Sequence, residues 1–386
     1  MIPLELKILL LRASGPALGV LALLYSDLLE SASAKQEIII LLLLIPAISP
    51  VLRFGVSIAC FSSHKEDLLL SKQLHLIANF TISFLVLIDV FTSQLISDSF
   101  VLALAISSSN SFLFNYSQVK VAEGAWQYYW MQSLPMNILI FAILFVISTG
   151  ETYTGVATKL AVVLLVFVAL ISLARLAKER LIDVPISSTS VLSSWLSDVF
   201  NSFHTPLLLL GLAFLLNNES GSEVALAKAV LFIETLAVGI LLPKIKRGNS
   251  IRFLSNRPTY LDITNLDRDD VSVGLLLLAS IAVAILGTFL GLSTSNIVAL
   301  FAICSVYIYA ITCYGYIYLL FFKNGSQRFY IYSIIFTQAV FWTFFFLGFR
   351  GFSFVEYMFF YLSTFHIASG LTIRHTKKVA ENRWSG

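Results

Sequence analysis

Residues 187–216 read SSTSVLSSWLSDVFNSFHTPLLLLGLAFLL, a hydrophobic span that carries polar residues and sits at the midpoint of the chain. As a helix, Ser194, Asp198, Asn201 and Thr205 recur at spacings of four, three and four, which puts them on one face with His204 at its edge. The other face is Leu, Val and Phe. A carboxylate inside a bilayer costs about 3 kcal/mol or more, so this stripe must face protein or a water-filled cavity rather than lipid. Two readings stand side by side, the wall of a cavity and a polar helix contact inside a bundle.

Outward from this span, composition sets the broad class. Of 386 residues, 58% are hydrophobic and only 12% charged, and the mean hydropathy is +0.87. Such a chain is an all-α integral membrane protein, not a soluble globule. Cys60, Cys304 and Cys313 lie in apolar runs without metal or disulfide spacing and read as packing residues. No metal or cofactor site and no nucleic-acid partner is expected.

Dividing the chain where charged or Gly/Pro/Ser/Asn-rich stretches interrupt runs of about 20 apolar residues gives about twelve spans. They fall at 8–28, 38–61, 74–97, 99–116, 130–148, 155–174, 190–216, 223–242, 271–292, 295–322, 329–349 and 352–372. The first has no small-residue cleavage site after it and reads as a retained helix. With the N-terminus in the cytoplasm, the inner segments are 62–73, 117–129, 175–185, 243–270, 323–328 and the tail from Arg374, and with Lys7 they hold nearly all Lys and Arg. The outer segments keep only Lys35, Lys159, Lys228 and Arg350, beside acids. This positive-inside pattern places both termini in the cytoplasm.

The basic linker RLAKERLIDVP (175–185) divides the spans six and six. The expected organisation is an N-terminal bundle over 1–174, a cytoplasmic linker over 175–189 and a C-terminal bundle with a cytoplasmic tail over 190–386, around a central cavity. Each half opens with a span that is polar in its inner part, a duplication common in transporters. The long inner loop 243–270 reads as a connector lying against anionic headgroups or as a solvated linker.

An Arg-containing first span (LLRASGPALGVLALL) leads to a turn ending in Lys35-Gln36-Glu37, and the second span closes on Leu52-Arg53-Phe54-Gly55 ahead of a basic inner loop. In the second half, the turn NNESGSEVALAKAV is followed by a span closing on Leu242-Pro243-Lys244. This order of features resembles the Wzx-type lipid-linked oligosaccharide flippases of bacterial O-antigen and capsule pathways, in the superfamily that includes the MATE drug extruders. The chain departs from the family where His204-Thr205 stands in place of an acidic residue. The resemblance implies two six-helix bundles in a bacterial inner membrane, with an undecaprenyl-diphosphate-type oligosaccharide as substrate and other polysaccharide assembly proteins as possible partners.

Buried ionisable residues are the functional candidates, because each is expensive in lipid. Arg12 and Arg53 fall in the cytoplasmic half of the first two spans. An arginine there suits a diphosphate, since its planar fork donates bidentate hydrogen bonds and stays charged; snorkelling to headgroups is the alternative. With Asp198, Asn201 and His204, the two arginines form the expected substrate-binding set. Glu234, about eleven residues from the outer end of its span and so roughly 16 Å into a ~30 Å core, is the candidate carboxylate for coupling to a proton or sodium gradient. Asp89, in the outer third of the third span, is second. His75 and His366 near the inner surface read as hydrogen-bonded packing residues. Ser107, Ser108, Ser109, Asn110 and Ser111 suit either a sugar-accommodating wall or close helix packing.

Two other function classes remain open at this level. One is a MATE-like, ion-coupled extruder of small molecules. The other is a membrane enzyme, a polysaccharide polymerase or an acyltransferase built around His366 or His204, for which the short outer loops offer little room. A non-enzymatic flippase working by alternating access is the reading the sequence favours.

Overall fold

The computed structural model of the chain describes residues 4–29, 32–60, 65–92, 95–148, 153–178, 189–215 and 327–347, with scattered residues between 224 and 368. All regular structure among the described residues is helical. The helices are α1 (Leu4–Ser26), α2 (Ala32–Arg53), α3 (Val56–Ala59), α4 (Lys65–Thr92), α5 (Asp98–Ala122), a 3-10 turn (Trp126–Gln132), α6 (Leu134–Ser148), α7 (Tyr153–Leu176), α8 (Thr189–Leu215) and α9 (Gln327–Phe346). The expected spans at 223–242, 271–292, 295–322 and 352–372 lie outside the described residues apart from single positions. Glu234 and His366 lie outside them altogether.

Packing groups Ser14–Gly221 as one compact unit and Met1–Ala13 with Ser222–Gly386 as another. In the first unit α2 packs on α5 and α8, α4 on α7, and α5 on α7. Among its described residues three helices are long and apolar enough to cross a membrane: Ala34–Arg53, Glu66–Thr92 and Gly155–Leu176. Helix α7 shows why. Ala157, Ala161, Leu165 and Val168 are buried, whereas Val163, Val166, Phe167, Leu170 and Leu173 are exposed. Small residues thus admit the neighbouring helix and large ones face outward to lipid, at the 3.6-residue period. Helix α5 is the converse: serine-rich because it is enclosed. Ser107, Ser108 and Ser111 are fully buried; Ser107 Oγ donates to the Ile45 carbonyl at 3.2 Å and Ser111 Oγ to the Ser108 carbonyl at 2.6 Å. In this structure they are packing residues.

At one end of the unit the first turns of α2, α5 and α7 meet. Ser99 Oγ donates to Glu37 and lies 3.1 Å from the Tyr153 hydroxyl, and Thr158 donates to Asp98 at 3.2 Å. Lys35 pairs with Asp27 at 2.6 Å between α1 and α2. Helix α1 lies on α6 through Gly15 and Gly19, whose missing side chains leave room for Ser133 and Asn137. A four-residue spacing of glycines puts both on one face and lets two backbones approach.

In the second unit, Phe341 of α9 packs edge-on against Tyr357 and Tyr361, with ring centroids 6.0 and 5.6 Å away. The polar tips are satisfied in series: Trp342 Nε1 donates to Gln338, whose Nε2 donates to the Tyr361 hydroxyl, each at 2.8 Å. Buried aromatics with their polar ends paired pack this region.

Candidate functional site

The sequence places the second span at 38–61; the structure breaks it. Helix α2 stops at Arg53, Phe54 and Gly55 turn in the left-handed region at φ 53 and 67, and α3 resumes with Ala59 N–H on the Gly55 carbonyl at 2.9 Å. A helix end leaves its last carbonyls without intrahelical partners, and away from water each must find a donor. Here the donors are side chains of three other helices. Trp195 Nε1 of α8 donates to Val51 O at 3.0 Å. His75 Nδ1 of α4 lies 2.7 Å from Leu52 O, which Asn79 Nδ2 also reaches at 3.1 Å. Asn115 Nδ2 of α5 donates to Arg53 O at 3.3 Å. Left-handed backbone at a bulky residue is costly. The Phe54 ring offsets it by stacking on Trp195, 5.4 Å between centroids and 6° from parallel.

This junction carries two of the expected substrate-binding residues. The Arg53 guanidinium sits 3.5 Å above the Phe114 ring, a cation–π arrangement, and its Nε is buried without a hydrogen-bond partner. Asp198 of α8, also buried, is within Coulombic reach of Arg53. The sequence reading sets Arg53 and Asp198 on opposite bundles. In the structure α2 and α8 pack together within Ser14–Gly221, with Asp198 within Coulombic reach of Arg53 inside one unit. The packing of α8 along α2 brings the Trp195 indole to the orphan carbonyl of Val51.

Of the other candidates, the structure describes the side chains of His204 and Asp89. His204 is buried farther along α8, 3.3 Å from its neighbour Thr205. Arg12 belongs to α1 and Asn201 to α8 by their backbones, and their side chains lie outside the described residues. Asp89, near the end of α4, accepts from the Leu95 and Ile96 N–H groups at 3.2 Å each and so shapes the turn into α5. Among the described residues no group of His, Cys, Asp and Glu could hold a metal. Sequence reasoning passed over Trp195, Asn79 and Asn115. Their signal was present: an indole or amide in an apolar run must find a partner, and the Pro50–Gly55 stretch ends a helix.

No protein-family model matches the sequence, and no curated protein matches it. Solved structures do. An outward-facing multidrug-resistance MATE family transporter of the MOP superfamily matches with 13% identity and a TM-score of 0.51, over 99% of this chain and 96% of that one. A MATE crystal structure in complex with MaL6 matches with 13% identity and a TM-score of 0.54, over 99% and 97%. A MOP superfamily transporter from Pyrococcus furiosus, whose reversed pocket polarity is described as suggesting a different function, matches with 13% identity and a TM-score of 0.52, over 97% and 95%. The chain therefore has the all-α, multi-pass fold of these membrane transporters, which are 12-helix, two-lobed proteins.

Proposed function

We propose that the protein flips an isoprenoid-diphosphate-linked oligosaccharide from the cytoplasmic to the periplasmic leaflet of a bacterial inner membrane by alternating access. The observation that carries this reading is Arg53: a guanidinium above Phe114, with an unpartnered Nε, at the end of a broken helix and facing the charge of Asp198. Broken helices are where transporters bind charged substrates. Asp198 balances Arg53 when no substrate is present, and a diphosphate, carrying more negative charge than one carboxylate, takes its place. Arg12, Asn201 and His204 complete the substrate set. The lipid tail stays in the bilayer while the head crosses. Both termini are cytoplasmic, and other polysaccharide assembly proteins receive the product.

Transport is coupled to a proton or sodium gradient through Glu234, with Asp89 second. Glu234→Gln should abolish gradient-dependent transport while the protein still inserts in the membrane; undiminished ion dependence rejects the assignment. Deleting the gene should make lipid-linked repeat units accumulate on the cytoplasmic side. A second reading, a MATE-type extruder of small molecules, is favoured by the likeness to multidrug transporters over nearly the whole chain. Export of cationic dyes from vesicles by the purified protein, with no build-up of lipid-linked units in the deletion strain, decides for it.

A further inference from the structure

Between α3, α4, α5 and α7 lies a cavity of about 330 Å³, at the small end of the roughly 300–1,000 Å³ typical of ligand pockets. Two of its lining side chains are almost fully buried and hold acceptors with no partner. His75 is 4% exposed and Asn115 6%, and neither His75 Nε2 nor Asn115 Oδ1 has a hydrogen bond. Their orientations follow from their other bonds. The carbonyls of Leu52 and Arg53 only accept, and Asn79 Nδ2, 2.9 Å from His75 Nδ1, turns its two hydrogens to the Leu52 and His75 carbonyls; Nδ1 therefore carries the imidazole hydrogen toward Leu52, and the Asn115 amide turns its Nδ2 toward Arg53. What remains bare on these two lining side chains is one ring nitrogen and one amide oxygen, each closed off from water.

The lining also carries three cations and one carboxylate, Glu123. Lys72, Lys120 and Arg175 all border the cavity. Lys120 is shared with Glu123 at 2.8 Å, and that carboxylate raises the ammonium's pKa. Among the described residues neither Lys72 nor Arg175 has an ion-pair partner. The remaining walls are largely apolar, with Leu76 and Phe112 among them. Cations select an anion, bare acceptors select hydroxyl donors, and apolar walls select the foot of an amphiphile. Basic pockets between helices on the cytoplasmic side suit anionic lipid headgroups, and positive-inside patterning puts Lys72, Lys120 and Arg175 on that side.

We propose that this cavity binds a hydroxyl-bearing phosphate ester of the inner leaflet, with its phosphate on Lys72 and Arg175 and its hydroxyls on His75 Nε2 and Asn115 Oδ1. The site lies within Ser14–Gly221 and holds such a headgroup whether or not that lipid is carried across, so it goes beyond the flipping reading. The test uses the purified full chain and reads lipid retention by native mass spectrometry, with phosphatidylglycerol, phosphatidic acid and phosphatidylcholine as probes. Phosphatidylglycerol should be retained at least about tenfold over phosphatidylcholine, and several-fold over phosphatidic acid, which lacks the headgroup hydroxyls. Lys72→Gln combined with Arg175→Gln, at side chains open to solvent, should erase selection for the anion. Asn115→Leu should erase only the preference over phosphatidic acid. Displacement of phosphatidylglycerol by free glycerol 1-phosphate assigns recognition to the headgroup alone; displacement only by an isoprenyl-diphosphate sugar assigns it to a lipid-borne glycosyl phosphate. Equal retention of all three lipids, or unchanged selectivity in the double variant, overturns the proposal. Because binding is read without transport, that failure leaves flipping standing.

Discussion

At the scale of single residues the junction at the end of α2 separates charge from shape. The Arg53 guanidinium carbon lies 3.5 Å from the centroid of the Phe114 ring, close enough for a cation–π contact. Lysine at this position keeps the charge but loses the planar, bidentate fork. Arg53→Lys and Arg53→Ala should therefore both lower transport at least about tenfold, whereas a residue that merely snorkels to headgroups would tolerate lysine. Wild-type transport in Arg53→Lys removes Arg53 from the substrate site. Trp195 makes two separable contributions, a ring stack on Phe54 and a hydrogen bond to Val51 O. Trp195→Phe keeps an aromatic ring and strands the carbonyl, at a cost of about 1–3 kcal/mol. A drop in the melting temperature of the detergent-purified protein, larger for Trp195→Ala than for Trp195→Phe, checks this order.

At the scale of elements, close backbone approach governs how α1 meets α6. A Cβ placed on Gly15 would overlap Ser133 Oγ and Cβ and come 2.9 Å from the Leu134 nitrogen, while one on Gly19 would meet Asn137 Oδ1 at 3.0 Å. The first obstacle includes backbone; the second is the tip of a side chain that can shift. Gly15→Ala should destabilise the protein by about 1–3 kcal/mol as an overpacked contact, and Gly19→Ala by clearly less. Thermal unfolding of the two variants side by side tests the ranking, and equal losses would reject this packing. The same logic explains α5. A helix enclosed by α2 and α7 can afford serines, whereas α7 must present Phe167 and Leu170 to lipid.

At the scale of the whole molecule, the likeness to MATE family structures extends along 97–99% of the chain, so the fold is all-α and multi-pass. Orientation is a separate matter, for which the basic segments at alternate helix ends give the expectation. Reporter fusions at Arg383 and within 217–223 should report opposite sides of the membrane, the first cytoplasmic. The same side for both would mean an error in the number of spans after 216. Opposite sides with Arg383 outside would invert the orientation, and with it the inner-leaflet placement of the cavity.

The sequence by itself determined the class. Hydrophobic runs of bilayer length admit only helices when no strand alternation is present. Each such run is a local property, readable from a window of about 20 residues. It also singled out Arg53 and Asp198, because a charge in an apolar run is conspicuous wherever it folds. Only the tertiary structure showed that α2 breaks at Phe54 rather than running to 61. Only there do the freed carbonyls of Val51, Leu52 and Arg53 gather Trp195, His75, Asn79 and Asn115 around one point. Those partners come from three other helices, up to 144 residues away. Which donor reaches which carbonyl depends on how whole helices pack, and no local pattern in the chain records it.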